Sequence, residues 1–185
     1  MQKFLDLDVT WTVANNGSVD LALHAQRNTV FPELPRFGLR LFLPQEMSQV
    51  NYYGMGPMEC YCDKHHAASH NSYTATVWQL HEDYIRPQEN GSHFDCDYVM
   101  LAGDAVRLTA VGTQLFSFNA SHYTQEELTR KAHNYELEPC SSTVLCLDYA
   151  QNGIGSESCG PRLLEQYRLD DATFNFGLRL FPEKK

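Results

Sequence analysis

Leu5-Asp6-Leu7-Asp8-Val9-Thr10-Trp11-Thr12-Val13, followed by Ala14-Asn15-Asn16-Gly17-Ser18, is the stretch that decides the fold class. Leu5, Leu7, Val9, Trp11 and Val13 alternate with Asp6, Asp8, Thr10 and Thr12. Successive side chains of a strand point to opposite faces, so this period of two predicts a half-buried β-strand. Asn16-Gly17 then suits the positive φ values of a tight hairpin, and Val19, Leu21 and Leu23 resume the alternation.

The same pattern continues outward. Phe37, Leu39, Leu41 and Leu43 predict a third strand. Further strands are expected at Val50–Tyr53, Tyr73–Leu80, Tyr98–Leu101, Val106–Ala110, Leu115–Asn119, Thr143–Leu147, Glu165–Leu169 and Phe174–Phe181. Many short strands with turn signals between them predict an antiparallel sandwich or barrel. One helix is expected, at about Gln125–Lys131. Thr124 is its N-cap and Glu127 completes a capping box, with Tyr123 and Leu128 as a hydrophobic staple. Such a short helix is a connector. Phe37-Gly38-Leu39-Arg40-Leu41-Phe42 recurs as Phe176-Gly177-Leu178-Arg179-Leu180-Phe181. The flanking residues do not repeat, so two core strands of similar composition are expected in place of a duplicated unit. No linker divides the chain, and residues 1–185 read as one domain.

Composition narrows the function. The chain has 185 residues, 43% hydrophobic and 20% charged, enough for one domain with a real core. A formal net charge of -9 with scattered Lys and Arg argues against a nucleic-acid partner, which needs clustered cations. No apolar run reaches the roughly 18 residues of a membrane helix, and Met1–Asp6 has no signal-peptide core. Six cysteines (Cys60, Cys62, Cys96, Cys140, Cys146 and Cys159) are therefore read as free thiols in a reducing cytoplasm. The sequons at Asn16, Asn90 and Asn119 matter only in a secreted eukaryotic chain.

Several constellations invite a chemical reading. Cys60-Tyr61-Cys62-Asp63-Lys64-His65-His66, with His70, offers zinc-ligand types, but only one cluster is present and its spacing is unlike structural zinc sites. A solvated loop is expected and no metal. Asp95, Asp97, Glu126, Glu127, Asp170 and Asp171 lie beside other acids, and nothing singles out a glycosidase acid and nucleophile among them. Tyr52-Tyr53 before Gly54-Met55-Gly56-Pro57 reads either as an aromatic sugar platform or, preferably, as strand-end core packing. Tyr84-Ile85-Arg86-Pro87-Gln88-Glu89-Asn90-Gly91 is an extended pre-proline segment and a turn. Its Arg86, Gln88, Glu89 and Asn90 suit a polar partner or a fastening to another domain.

Gly153-Ile154-Gly155-Ser156-Glu157-Ser158-Cys159-Gly160-Pro161 follows the apolar run Val144–Leu147. Three glycines and a proline in nine residues shape a loop that presents a side chain near its tip. It is no phosphate loop, because Gly-Lys-Ser/Thr is missing. Cys159 or Ser158 as a nucleophile would need a base, and sequence places none of His81, His93, His122 or His133 beside it.

Four segments in this order resemble a known family: Tyr53–Tyr61, Tyr84–Gly91, Phe116–Thr124, and Leu147-Asp148-Tyr149-Ala150-Gln151-Asn152-Gly153-Ile154-Gly155. The family is the C-terminal, small-chain domain (domain 5) of large bacterial β-galactosidases of glycoside hydrolase family 2. The resemblance spans Tyr53 to Pro161, with only the strand pattern supporting it outside. It implies an all-β antiparallel supersandwich of the galactose-mutarotase-like type, of which this chain is the latter part. The retaining glutamates, with Mg and Na, are implied to lie on a TIM-barrel domain elsewhere in the parent enzyme. No catalytic residue, metal or cofactor is thus expected in this chain, and the isolated chain is expected to be inactive. The implied partners are that barrel and a galactoside such as lactose, reached through the loop Gly153–Pro161. A homo-oligomeric, cytoplasmic parent is also implied. Within the loop the family places a sugar-stacking tryptophan, and Cys159 stands at that position here, in a loop one residue shorter. Cys159 is then a small apolar wall in a weaker or different aglycone subsite. The alternatives are an independent carbohydrate-binding module, an aldose epimerase-like domain with a His acid and Glu base, and a purely structural interaction domain.

Overall fold

The computed structural model describes residues 2–154 and 160–185; Ser158 and Cys159 lie outside them. The fold is all-β and antiparallel. Its strands are β1 (Leu5–Val13), β2 (Val19–Arg27), β3 (Arg36–Pro44), β4 (Gln49–Gly56), β5 (Ser69–Thr76), β6 (Ser92–Ala102), β7 (Val106–Ser121), β8 (Ser142–Gln151) and β9 (Thr173–Lys184). They form one sheet in the order β1-β2-β9-β7-β6-β4-β5, with β8 on β7 and β3 on β8 as a branch. The short helix α1 (Gln125–Arg130) connects β7 to β8.

The branch explains the shape. β7 has 16 residues, and its first half, Val106–Gly112, pairs with β9 while Ser117–Ser121 pairs with β8. The expected break between Val106–Ala110 and Leu115–Asn119 is therefore absent: one long strand passes from one layer to the other. The β3–β8 layer then folds over the rest. Leu145 and Leu147 of β8 enter the same core as Leu21 of β2 and Phe176 and Leu178 of β9, and the Phe37 ring meets that of Phe174 at 4.9 Å. β8 is buried on both faces; on the second, Gln125 Nε2 of α1 donates to Cys146 Sγ at 3.3 Å.

The first hairpin forms as its sequence dictates. Gly17 takes φ +84°, its N–H donates to Ala14 O at 2.9 Å, and Asn16 Oδ1 accepts from Ser18 N and Oγ. β1 departs from expectation in its burial. Trp11 pairs with Leu21, and Val9 with Leu23, so the apolar stripe of β1 continues the core face of β2 and β9. Yet Leu7, Val9 and Trp11 remain 46%, 48% and 50% exposed. The strand is not half-buried, because among the described residues nothing covers its apolar face. Burying a Leu or Phe fully stabilises by roughly 1.5–3 kcal/mol, a gain that Phe118 and Leu147 realise and the β1 side chains largely forgo.

Three further expectations need correction. Tyr73–Leu80 is not one strand: Thr76 accepts from Gln79 N and Gln79 Oε1 accepts from Thr76 N, a reciprocal cap that starts a 3-10 turn at Val77–Leu80. Glu165–Leu169 is likewise a 3-10 turn, Glu165–Tyr167, in place of a strand. The capping box at α1 is half made. Thr124 Oγ1 accepts from Glu127 N at 3.1 Å, but the Glu127 carboxylate turns to Glu138 N, Arg130 and Lys131. The echoed hexapeptides lie on β3 and β9, which pair with different strands.

Candidate functional site

Three connections meet at one end of the sheet: residues 57–64 after β4, residues 84–91 before β6, and Gln151–Ile154 at the end of β8. Each is tied to the next by a charged group. Glu59, 7% exposed, accepts from Lys64 Nζ at 2.6 Å, from the Tyr84 hydroxyl, and through Oε2 from Gly91 N at 2.8 Å. One carboxylate thus holds the second connection against the first. Burial would raise its pKa, but Lys64, Tyr84 and the Gly91 N–H outweigh it and hold Glu59 below the usual carboxylate range.

Arg36, at the start of β3, ties the second connection to the third. Its Nε and Nη2 donate to both Asp148 oxygens at 2.9 and 2.6 Å, and its Nη1 donates to Glu89 Oε2 at 3.0 Å. Asp148 is 2% exposed, and Gln151 Nε2 donates to it at 3.2 Å. A planar guanidinium with five donors suits two carboxylates at once. Burial pushes the Glu89 and Asp148 carboxyls up, while Arg36 favours their charged forms. Burial would lower Arg36, and the two acids raise it above its ordinary value.

Asp63 closes the ring. Its Oδ1 accepts from Ile154 N at 3.1 Å, and a Cβ at Gly153 would overlap its carboxyl and Leu163 Cδ1. Only glycine allows that approach without displacing Asp63. Asn152 N donates to Pro35 O at 3.0 Å, and Asn152 Oδ1 accepts from Leu169 N at 2.6 Å. The stem of the Gly153–Pro161 loop is therefore fixed by side chains on both flanks. Beside it runs a groove of about 760 Å³, lined by Arg36, Arg86, Glu89, Gln125 and Gln151–Ile154. In the sequence Glu89 stands out only as one of several polar residues, Asp63 and Asp148 only as members of longer segments, and Arg36 not at all. Asp148 carried a signal, a lone acid at the end of an apolar run, which implies a buried cationic partner.

The chemical readings can now be placed. Cys159, the expected sugar-contact position, lies outside the described residues. Cys60, Cys62, Cys96, Cys140 and Cys146 are free thiols, and burial pushes Cys60 and Cys62 up to about 11, where neither is a thiolate at neutral pH. Among the described residues no three His, Cys, Asp or Glu side chains converge to hold a metal ion.

Tyr52 is 1% exposed and bonds His93 Nδ1 at 3.0 Å, so it is core and no platform; Tyr53 beside it is 39% exposed. Burial pushes His93 down to about 4 and keeps it neutral. Trp78, half exposed, packs on the His122 ring, and among the described residues that line the groove there is no histidine. Of the acids weighed from sequence, Glu126 pairs with Arg40, Glu127 is held at α1, and Asp171 accepts from Tyr149. A retaining glycosidase needs two carboxyls about 5–5.5 Å apart across a sugar, one of them protonated. Among the described residues that line the groove, Glu89 is the carboxylate, and its Oε2 accepts from Arg36 Nη1.

A family profile described as β-galactosidase small chain matches residues 1–180. The chain is 46% identical over 182 residues to a β-galactosidase of Actinobacillus pleuropneumoniae, which covers 98% of this chain and 18% of that protein. It is 42% identical over 172 residues to a β-galactosidase of Staphylococcus xylosus, covering 93% and 17%. For a β-galactosidase of Arthrobacter sp. (strain B7) the figures are 33% over 168 residues, 88% and 16%. The chain thus spans less than a fifth of the length of these relatives.

Proposed function

Because the chain belongs to the β-galactosidase small-chain family, we propose that it works as a non-catalytic domain of a larger retaining β-galactosidase acting on terminal β-D-galactosides. It buttresses the catalytic barrel and supplies one loop, Gly153–Pro161, to the sugar pocket. Cys159 is a small wall there, where the family resemblance places a tryptophan. Chemistry and any bound Mg or Na belong to the barrel, and the chain alone is inactive. The five described free thiols fit a parent enzyme that is cytoplasmic; the resemblance also implies that it is oligomeric. No helix among the described residues is long and apolar enough to cross a membrane.

The observation that carries this reading is the uncovered face of β1. Leu7, Val9, Trp11 and Val13 extend the core stripe of β2 and β9 into solvent. Contiguous apolar surface of this kind marks an interface. Relatives five to six times longer have chain enough to cover it. Hydrogen exchange tests this directly. Amides and side-chain environments of residues 5–13 become protected in the parent enzyme relative to the isolated chain; equal exchange in both would remove the buttress.

A further inference from the structure

We infer that Trp78, Tyr123 and Asp83 form a saccharide-binding corner on this chain, suited to a galactosyl residue. The 3-10 turn Val77–Leu80 presents the indole. Its cap is reciprocal, with Thr76 Oγ1 accepting from Gln79 N and Gln79 Oε1 from Thr76 N, and the flanking Val77 and Leu80 are buried. The His122 ring, itself buried, backs the indole at 4.6 Å between centroids. Trp78 nevertheless stays half exposed, so an aromatic surface is fixed in place and left open. Tyr123 stands nearly perpendicular to it, at 79° and 6.0 Å, and makes a wall. His81 packs on Tyr123 at 4.9 Å, and its Nε2 lies 3.5 Å from Asp83 Oδ1, which brings an exposed carboxylate to the same corner.

The chemistry of the corner points to a neutral polyol. Burial pushes His81 and His122 down, so both rings are neutral at pH 7 and bring no cation for an anionic ligand. Burial, and after it the Asp83 charge, push the Tyr123 phenol up, so its hydroxyl is a donor there. The Asp83 carboxylate is an acceptor. Glu82 and Asp83 are exposed, and an apolar protein surface closing on the indole would take them from water without a partner. A sugar offers them hydroxyls and lays C–H groups on the ring. Galactose, whose O4 is axial, gathers C3–H, C4–H and C5–H on one face and keeps its hydroxyls at the rim. That shape matches one aromatic face beside a hydroxyl donor and a carboxylate. The corner needs neither the barrel nor the Gly153–Pro161 loop, so its test is separate from that of the buttress.

The 185-residue chain is titrated with lactose and methyl β-D-galactoside, with cellobiose as control, and followed by the NMR signals of its two indole N–H groups. Trp11→Phe assigns them. Lactose is expected to move the Trp78 signal saturably, with a Kd on the order of 1–10 mM, and to leave the Trp11 signal in place. Cellobiose, whose C–H groups are divided between two faces, is expected to bind about fivefold more weakly or worse. Backbone amides of residues 79–84 and Tyr123 follow the variants. Trp78→Ala is expected to weaken binding roughly tenfold or more, and Asp83→Ala roughly three- to tenfold. Trp78→Phe keeps a ring on His122 and is expected to bind within about fivefold of wild type, which separates loss of the platform from loss of folding. A Trp78 signal unmoved at about 100 mM lactose, a Trp11 signal that moves as far, or a Trp78→Ala affinity within about twofold of wild type would overturn the site. Equal binding of cellobiose overturns the galactosyl assignment, and an unchanged affinity in Asp83→Ala overturns the role of Asp83.

Discussion

Arg36 and Asp148 form a two-point ion pair, Nε and Nη2 on the two carboxylate oxygens at 2.9 and 2.6 Å, at the junction of β3 and β8. Asp148 is almost wholly buried, so removing Arg36 leaves an uncompensated charge inside the protein. Arg36→Met is expected to cost about 3–5 kcal/mol in denaturant unfolding. Arg36→Lys recovers little of this, because one ammonium cannot bridge both Asp148 oxygens and Glu89. A loss under about 1 kcal/mol for Arg36→Met would show that the pair contributes no net stability.

Glu59 gives a pH dependence with a definite sign. Its folded-state pKa lies below the usual value, so its contribution is present above the unfolded pKa of about 4.3 and is lost as pH falls through the depressed folded value. Unfolding midpoints of wild type and Glu59→Gln are expected to differ most at pH 6–7 and to converge below about pH 4. A difference that stays constant across this range would contradict the assignment.

Leu147 and Trp11 are both large apolar residues but differ in cover: Leu147 is fully buried and Trp11 is half exposed. Leu147→Ala is expected to destabilise by roughly 2–5 kcal/mol, through lost burial and the cavity left behind.

Trp11→Glu is expected to change stability of the isolated chain by under about 0.5 kcal/mol. In the parent enzyme the same change places a charge in an interface and lowers the yield of assembled protein. Equal assembly of Trp11→Glu and wild type would show that β1 faces solvent in both.

Period-two alternation made seven of the nine strands legible nearly in place, because successive side chains of a strand face opposite ways. The misreadings have physical causes. Gly112 and Thr113 resemble a break between strands, yet the chain runs on through them because β7 changes partners from β9 to β8 there. Glu165–Leu169 has the apolar spacing of a strand, but its backbone bonds turn back on themselves at Tyr167 and Arg168. Val9 and Trp11 announce burial that their own chain does not provide. At the site, residues 153–161 read as a glycine-framed loop whose tip lies outside the described residues. Its anchors were not legible, since Asp63 and Ile154 stand far apart in sequence and only the meeting of three connections joins them.

The most direct measurement is galactoside hydrolysis by a parent β-galactosidase lacking this region, titrated with the chain. The account predicts no turnover by the chain alone, weak turnover by the shortened enzyme, and a saturable recovery on mixing that Trp11→Glu impairs. Turnover by the chain alone, or full activity of the shortened enzyme without it, would contradict the account.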